Sequence, residues 1–383
     1  HAFVEAFGER LAPMASYLPE VRPSGVEDAE TLRWAVRADD GSGFVFIGRH
    51  QPHVPLQAYR GARLSVDTRH GTVELPSAPV DIPPGTLARW PLGLEVGGVT
   101  IDWATASAVT VLPGSADTPP TLLLIEDAGI PVEVAHDGFA HAVTRGAAPV
   151  RIEEADGAAL DVLVLPAADA PRVWVVDAAA GGRRLFVSSD ELTWDAAGRV
   201  SVRASGDAPD VREYVDGSWL TPDWEHVDGA GMEATIDVRR IREGTPPSGE
   251  YGSRDGRQAA PDDTVLDNHA AVYRLEIPAG LDADAVLRVR WAGDVAQLRV
   301  DGRTATDRFW DGSEFVANLR DIGAGPDASV ELHVLPLRRD TGVHLPADAA
   351  ARLAASAGGL CELADGRIGQ GAPWREIRWE PRP

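Results

Sequence analysis

The chain has no lysine at all: its 36 basic residues are all arginine. That uniformity points to a GC-rich coding composition rather than to a function. Acidic residues outnumber basic ones, 59 to 36, for a net charge of -23. Such a balance repels a phosphate backbone and argues against nucleic acid as a partner. Cysteine is nearly absent: Cys361 stands alone, so no internal disulfide and no thiolate zinc cluster can form. No run of about 18 apolar residues exists, so no helical membrane span is expected. The opening residues His1-Ala2-Phe3-Val4 carry neither an initiator Met nor a basic segment followed by an apolar core. No signal peptide is visible, the chain reads as starting partway through a longer polypeptide, and localisation is not legible. Also missing are a Gly-x-Ser-x-Gly elbow and a Gly-rich phosphate loop after a strand, and nothing implies a cofactor.

What is present suits a soluble globular protein of two or three domains: 383 residues, 44% hydrophobic and 25% charged. In residues 1–12, Phe3, Val4, Phe7 and Leu11 recur at helical spacing until Pro13. A helix that short needs its stripe packed on something. From Leu32 onward the pattern is β, with short apolar runs such as Leu32–Val36, Phe44–Ile47, Val99–Trp103, Thr121–Ile125 and Asp161–Leu165. Asp-Gly, the tight-hairpin dipeptide, recurs at 40–41, 137–138, 156–157, 216–217, 301–302 and 311–312. Many short strands with few helices between them predict an all-β fold of antiparallel sandwiches. Residues 243–263, rich in Gly, Pro and charge, read as a long loop or linker. Beyond it the alternation is clean: Leu287, Val289 and Trp291 oppose Arg288 and Arg290. Ala296, Leu298 and Val300 oppose Gln297 and Arg299, and Val330, Leu332 and Val334 oppose Glu331 and His333. One buried and one wet face follow from that pattern. Residues 347–357 read as a short surface helix.

Candidate chemistry is sparse. Glycoside hydrolysis needs two carboxylates flanking a bond, yet Asp39-Asp40, Asp156, Asp262-Asp263 and Asp311 sit in turn-like stretches where Asp caps its own backbone. Glu126-Asp127 and Glu153-Glu154 border strands, where neighbours face opposite ways and form no dyad. His50, His53 and His70 lack a completing carboxylate or Cys, so no metal site is expected. Eleven Trp stand out in a chain with 6% aromatics. Trp34, Trp103 and Trp174 fall inside apolar runs and read as core. Around Arg308-Phe309-Trp310-Asp311-Gly312 two rings meet a polar turn. If sugar binds, Trp310 is the first stacking candidate with Phe309 beside it, and Asp307 or Asp311 would accept from hydroxyls; packing at a sandwich edge is the competing reading.

Four segments carry a family resemblance. They are HAFVEAFGERLAPM, LRWAVRADDGSGFVFIGRHQPHVPL, PVDIPPGTLARWPLGLEVGGVTIDWATASAVTVL with its Arg89-Trp90-Pro91 step, and VYRLEIPAG with GDVAQLRVDGRTATDRFWDG and LHVLPLRRDTGVHLP. In this order the chain resembles the region that follows the barrel in bacterial family 35 glycoside hydrolases, the β-galactosidases. It departs from the family at Gly48 and Gly93, where Asn is usual. The resemblance implies a helix and linker over 1–30 leaving a barrel and a β-sandwich region over 31–242, with a subdivision open near 145–150. After the 243–263 linker it implies a galactose-binding-like jelly roll over 264–383. The parent reaction would be retaining hydrolysis of terminal β-galactosides by two Glu on a (β/α)8 barrel, one of them in a Glu-Asn pair. Here the only Asn residues, Asn268 and Asn318, follow Asp267 and Ala317, and no barrel pattern exists. No catalytic residue carries over, and the chain alone is expected to be inactive. Three functions stay open: an accessory region whose barrel partner lies on a missing segment or another chain, with β-galactosides as possible ligands; a free-standing carbohydrate-binding module; and a scaffold without ligand.

Overall fold

A computed structural model describes residues 1–378 except 26, 40, 52–55, 70, 147, 178–181, 205–207, 225–230, 248–252, 255–256, 259, 326, 341 and 344, and the backbone alone at 253–254 and 257–258. The protein is all-β, with antiparallel sheets and a short N-terminal helix, Ala2–Leu11. It divides into two compact units, His1–His226 with Trp374–Pro383, and Val227–Pro373. The sequence expectation places the break at 243–263 and leaves the end of the chain in the second unit. Pairing decides otherwise: Met232–Arg242 is a central strand of the second unit, and Arg375–Arg378 pairs with Val200–Arg203 in the first.

The first unit is a stack of β layers. A seven-stranded sheet runs Ala15–Tyr17, Arg33–Asp39, Ser42–Gly48, Leu87–Val96, Val99–Ala104, Glu133–His136 and Phe139–Ala142 in spatial order. One face packs on the hairpin Tyr59–Thr68/Gly71–Ile82 around Val45, Trp90 and Leu75. The other meets a four-stranded sheet containing Ala106–Leu112, Thr121–Glu126 and Ala159–Leu165. Thr121–Glu126 is buried along its whole length because both its faces are covered. Leu122 and Leu124 point into that core, while Leu123 and Ile125 enter the next one with Leu185 and Val187. Its pairing with Ala159–Leu165 is parallel, a departure from the all-antiparallel expectation.

The opening helix packs within this unit. Phe3, Phe7 and Leu11 are buried, and Phe3 and Phe7 lie 5.1 and 5.0 Å from the Phe44 ring. Val4 does not belong to the buried stripe; it is 65% exposed. With its stripe satisfied by its own sandwich, the helix offers no argument for an absent partner. At Gly93 the backbone takes φ +55°, and a Cβ would lie 2.3 Å from Gly41 O. No side chain larger than hydrogen fits this backbone at position 93 without a shift.

Three of the Asp-Gly steps form tight hairpins, while at 156–157 and 311–312 only the Gly has positive φ and the loops are longer. At 137–138, 216–217 and 301–302 both residues have positive φ and close two-residue hairpins, with His136 opposite Phe139, Val215 opposite Ser218 and Val300 opposite Arg303. Asp40 lies outside the described residues.

The second unit is a nearly closed eight-stranded jelly roll. Its order is Arg303–Phe309, Val295–Val300, Val330–Val334, Ala271–Glu276, Met232–Arg242, Glu362–Gln370, Val286–Ala292 and Phe315–Asn318. The long Met232–Arg242 strand passes between its halves, pairing first with 366–370 and then with 272–276. Leu287, Val289, Trp291, Leu298 and Leu332 fill the interior, closed partly by Ala349 and Leu353 of the helix Ala347–Ala355. The outer face is not wet throughout. Gln297 and His333 are buried, because a second helix, Asp263–His269, covers that side. Gln297 donates to Asp263 at 2.9 Å and Arg299 pairs with Asp267.

Between the Val286–Ala292 and Val295–Val300 strands, burial raises the carboxyl of Asp294 to about 6, with no compensating partner among the causes. A folded value above the unfolded one means that the folded state holds the proton more tightly. This favours folding at low pH, and the benefit is lost as pH rises from about 4 through 6. Two units correspond to about 3 kcal/mol; residual exposure reduces this to roughly 1–2 kcal/mol. Asp294→Asn is therefore expected to stabilise the protein by about that amount at pH 8 and to change little at pH 4. Urea midpoints at the two pH values check it, and a variant no more stable at pH 8 would show that the carboxylate is solvated.

Candidate functional site

The residues singled out near 307–311 do not converge on an open site. Trp310 is only 4% exposed and belongs to the interior of the jelly roll, with the Arg352 guanidinium 5.7 Å from its ring centre. A ring buried on one side and capped by a cation on another has no free face for a sugar, so the stacking assignment is corrected to a core role. Phe309 is 58% exposed, on the edge strand Arg303–Phe309, and Asp307 on the same strand is also exposed. Asp311 is engaged locally: it accepts from Ser313 N at 3.0 Å, from the Ser313 hydroxyl and from Arg308 at 3.1 Å. Those bonds hold its carboxyl down at about 2.

Several of the other acidic candidates are engaged in turns, caps or ion pairs. Asp156 accepts from Ala158 N, and Asp262 caps the Asp263–His269 helix by accepting from Val265 N at 3.0 Å. Glu154 lies 3.7 Å from His136, and Glu153 is exposed. His50 is exposed, while His53 and His70 lie outside the described residues. No group of three metal-ligating side chains occurs among the described residues, and no described helix is long and apolar enough to cross a membrane. Cys361 is half-buried, and burial pushes its thiol up to about 11, which makes it a poor nucleophile.

The first unit holds a cavity of about 340 Å³, at the lower end of the range for small-molecule sites. Five elements build it. The turn Pro83–Thr86 is pinned by Gly85 N donating to Arg49 O and by the Thr86 hydroxyl donating to Pro83 O, both at 2.8 Å. Leu87 and Arg89 stand on the Leu87–Val96 strand, and Ser107 on Ala106–Leu112. Ile125 and Glu126 end the Thr121–Glu126 strand, with Asp127 and Ala128 in the turn beyond; Ala167 and Ala170 come from the short 3₁₀ helix Ala167–Arg172.

Two charged groups dominate it. Asp127 is half-buried and accepts from Trp90 Nε1 at 2.8 Å and from the Ser107 hydroxyl at 2.8 and 3.1 Å. Burial nonetheless outweighs these bonds and raises its carboxyl. Arg89 is half-buried too, its guanidinium 5.2 Å from the Phe3 ring centre and its Nε 3.4 Å from Ala108 O. Burial lowers its pKa and the charge of Asp127 partly restores it. The guanidinium's terminal nitrogens make no hydrogen bond to any described residue. Glu126 also lines the cavity, bonded to Arg145 and accepting from Ala167 N at 3.2 Å. Sequence reasoning weighed Glu126-Asp127 only as a dyad and passed over Arg89. The available signal was a lone Arg beside a Trp in a strand whose only other charge is Glu95. Compared with known proteins, the chain matches no family model and no curated protein sequence.

Proposed function

We propose that this chain is a non-catalytic accessory β-sandwich region of a β-galactosidase-like glycoside hydrolase, acting beside a (β/α)8 barrel that carries the two catalytic Glu. The observation that carries the reading is the succession of a layered sandwich and a jelly roll, in the order that the resembling segments imply. The engagement of Asp156, Asp262, Asp311 and Glu126 in caps, turns and ion pairs favours the non-catalytic part. A second reading, a free-standing carbohydrate-binding module, is favoured by the opening helix, whose Phe3, Phe7 and Leu11 need no cover from another domain.

The pure protein is expected to release no chromophore from an aryl β-galactoside above the buffer rate. Turnover abolished by a single Asp or Glu substitution in this chain would refute the non-catalytic assignment. Coding sequence in frame upstream of His1, or a neighbouring gene, should encode a (β/α)8 barrel with two catalytic Glu. A locus with neither transfers the case to the free-standing module.

A further inference from the structure

We infer that the cavity beside Arg89 binds one ring of a neutral polyhydroxylated ligand, a monosaccharide unit. Arg89 would donate to its hydroxyls and Asp127 would accept from them. The inference stands on the cavity's chemistry and does not need the accessory-region reading.

Three observations carry it. First, Arg89 is half-buried, its guanidinium held over the Phe3 ring and by one long bond from Nε, with no described partner for its terminal nitrogens. Those nitrogens are open to solvent and stay free to donate to a group bound in the cavity. Second, Asp127 is fixed by Trp90 and Ser107, yet a carboxylate offers about four acceptor positions and these two donors fill only part of them. Third, the charges balance. Arg89 and Asp127 cancel, and Glu126 is neutralised by Arg145. An anionic ligand drawn to Arg89 would meet the Asp127 carboxylate across the same space, whereas a hydroxyl satisfies both groups because it donates and accepts. Pro83, Leu87, Ile125 and Ala167 add apolar wall that suits the C–H face of a sugar ring, beside the polar Thr86 and Glu126. The volume of about 340 Å³ admits a ring rather than a chain threaded through it.

Saturation-transfer NMR and calorimetry on the full chain test this, with methyl β-galactoside, methyl β-glucoside and lactose as probes. At least one saccharide should bind. Lactose binding as well as the methyl glycoside marks the end of a chain as the ligand, and binding of the methyl glycoside alone marks a free monosaccharide; either supports the site. Arg89→Met keeps an unbranched side chain but removes the donors and the cation over Phe3, so affinity should fall about tenfold or more. Leu87→Trp, at a rim position 63% exposed, should block the cavity without disturbing the core, and serves if Arg89→Met unfolds. The assignment is overturned if no saccharide binds, if binding survives Leu87→Trp, or if acetate or phosphate binds at Arg89 in place of sugar. Binding lost on Leu87→Trp in a protein with no barrel encoded nearby would sink the accessory reading alone. A barrel nearby with no saccharide binding would sink only this one.

Discussion

Trp90→Ala is expected to cost about 3–5 kcal/mol of stability, the usual range for truncating a fully buried Trp. The ring is 0% exposed at the centre of the seven-stranded sheet, packed with Val45, Leu75 and Trp103 against the hairpin layer. It also does a second job, since its Nε1 is one of two side-chain donors that hold Asp127. Trp90→Phe separates the two roles. It keeps most of the packing but leaves a half-buried carboxylate with one donor fewer, a loss of about 1–3 kcal/mol. Asp127 should then hold its proton to higher pH than in the parent, so part of the loss should disappear on acidification. Urea unfolding followed by far-UV circular dichroism at pH 5 and pH 8 reads both effects. A Trp90→Phe variant as stable as the parent at both pH values would show that the bond to Asp127 contributes nothing.

Trp310→Ala is expected to cost a similar amount, about 3–5 kcal/mol, and to unfold the second unit first. Its ring is 4% exposed among Trp291, Phe315, Ala349 and Leu353. Here the phenylalanine control should behave oppositely to that at Trp90. Trp310 Nε1 is buried and has no hydrogen-bond partner, so Trp310→Phe removes a donor that gains nothing from folding, and its cost is confined to lost volume. Hydrogen exchange of the Val286–Ala292 and Val330–Val334 amides locates the loss within the jelly roll. If Trp310→Ala melts with the parent and only sugar affinity falls, the ring is a binding platform and the core assignment fails.

How much was legible depended on whether the signal was local. The three hairpins at Asp137-Gly138, Asp216-Gly217 and Asp301-Gly302 could be read because positive φ at two successive residues is a demand on residue type alone. The inward set Leu287, Val289 and Trp291 followed from period two, and the stripe Phe3, Phe7 and Leu11 from helical spacing. Val4 fell outside that stripe because a short helix buries only the narrow face that its neighbour touches. Gln297 and His333 were read as solvent-facing because alternation reports one covered face; it cannot say that the Asp263–His269 helix folds back over the other. The Asp262 cap that starts this helix was visible but hidden within a polar stretch that read as linker.

The cavity was not legible at all. Arg89, Ser107 and Asp127 are separated by 18 and 20 positions, and no spacing rule joins residues from two strands and a turn. Their meeting depends on strand register: Arg89 N reaches the Ser107 hydroxyl at 3.0 Å only because Leu87–Val96 and Ala106–Leu112 come to lie side by side. The sequence by itself determined the class of structure, its hairpin positions and most of which side chains face inward, since those follow from backbone preference and the alternation of burial. Tertiary structure alone decided where the units divide, that Trp310 is core, and that the terminal nitrogens of Arg89 find no partner among the described residues beside Asp127. Each of these depends on contacts between residues far apart in the chain, which no local pattern encodes.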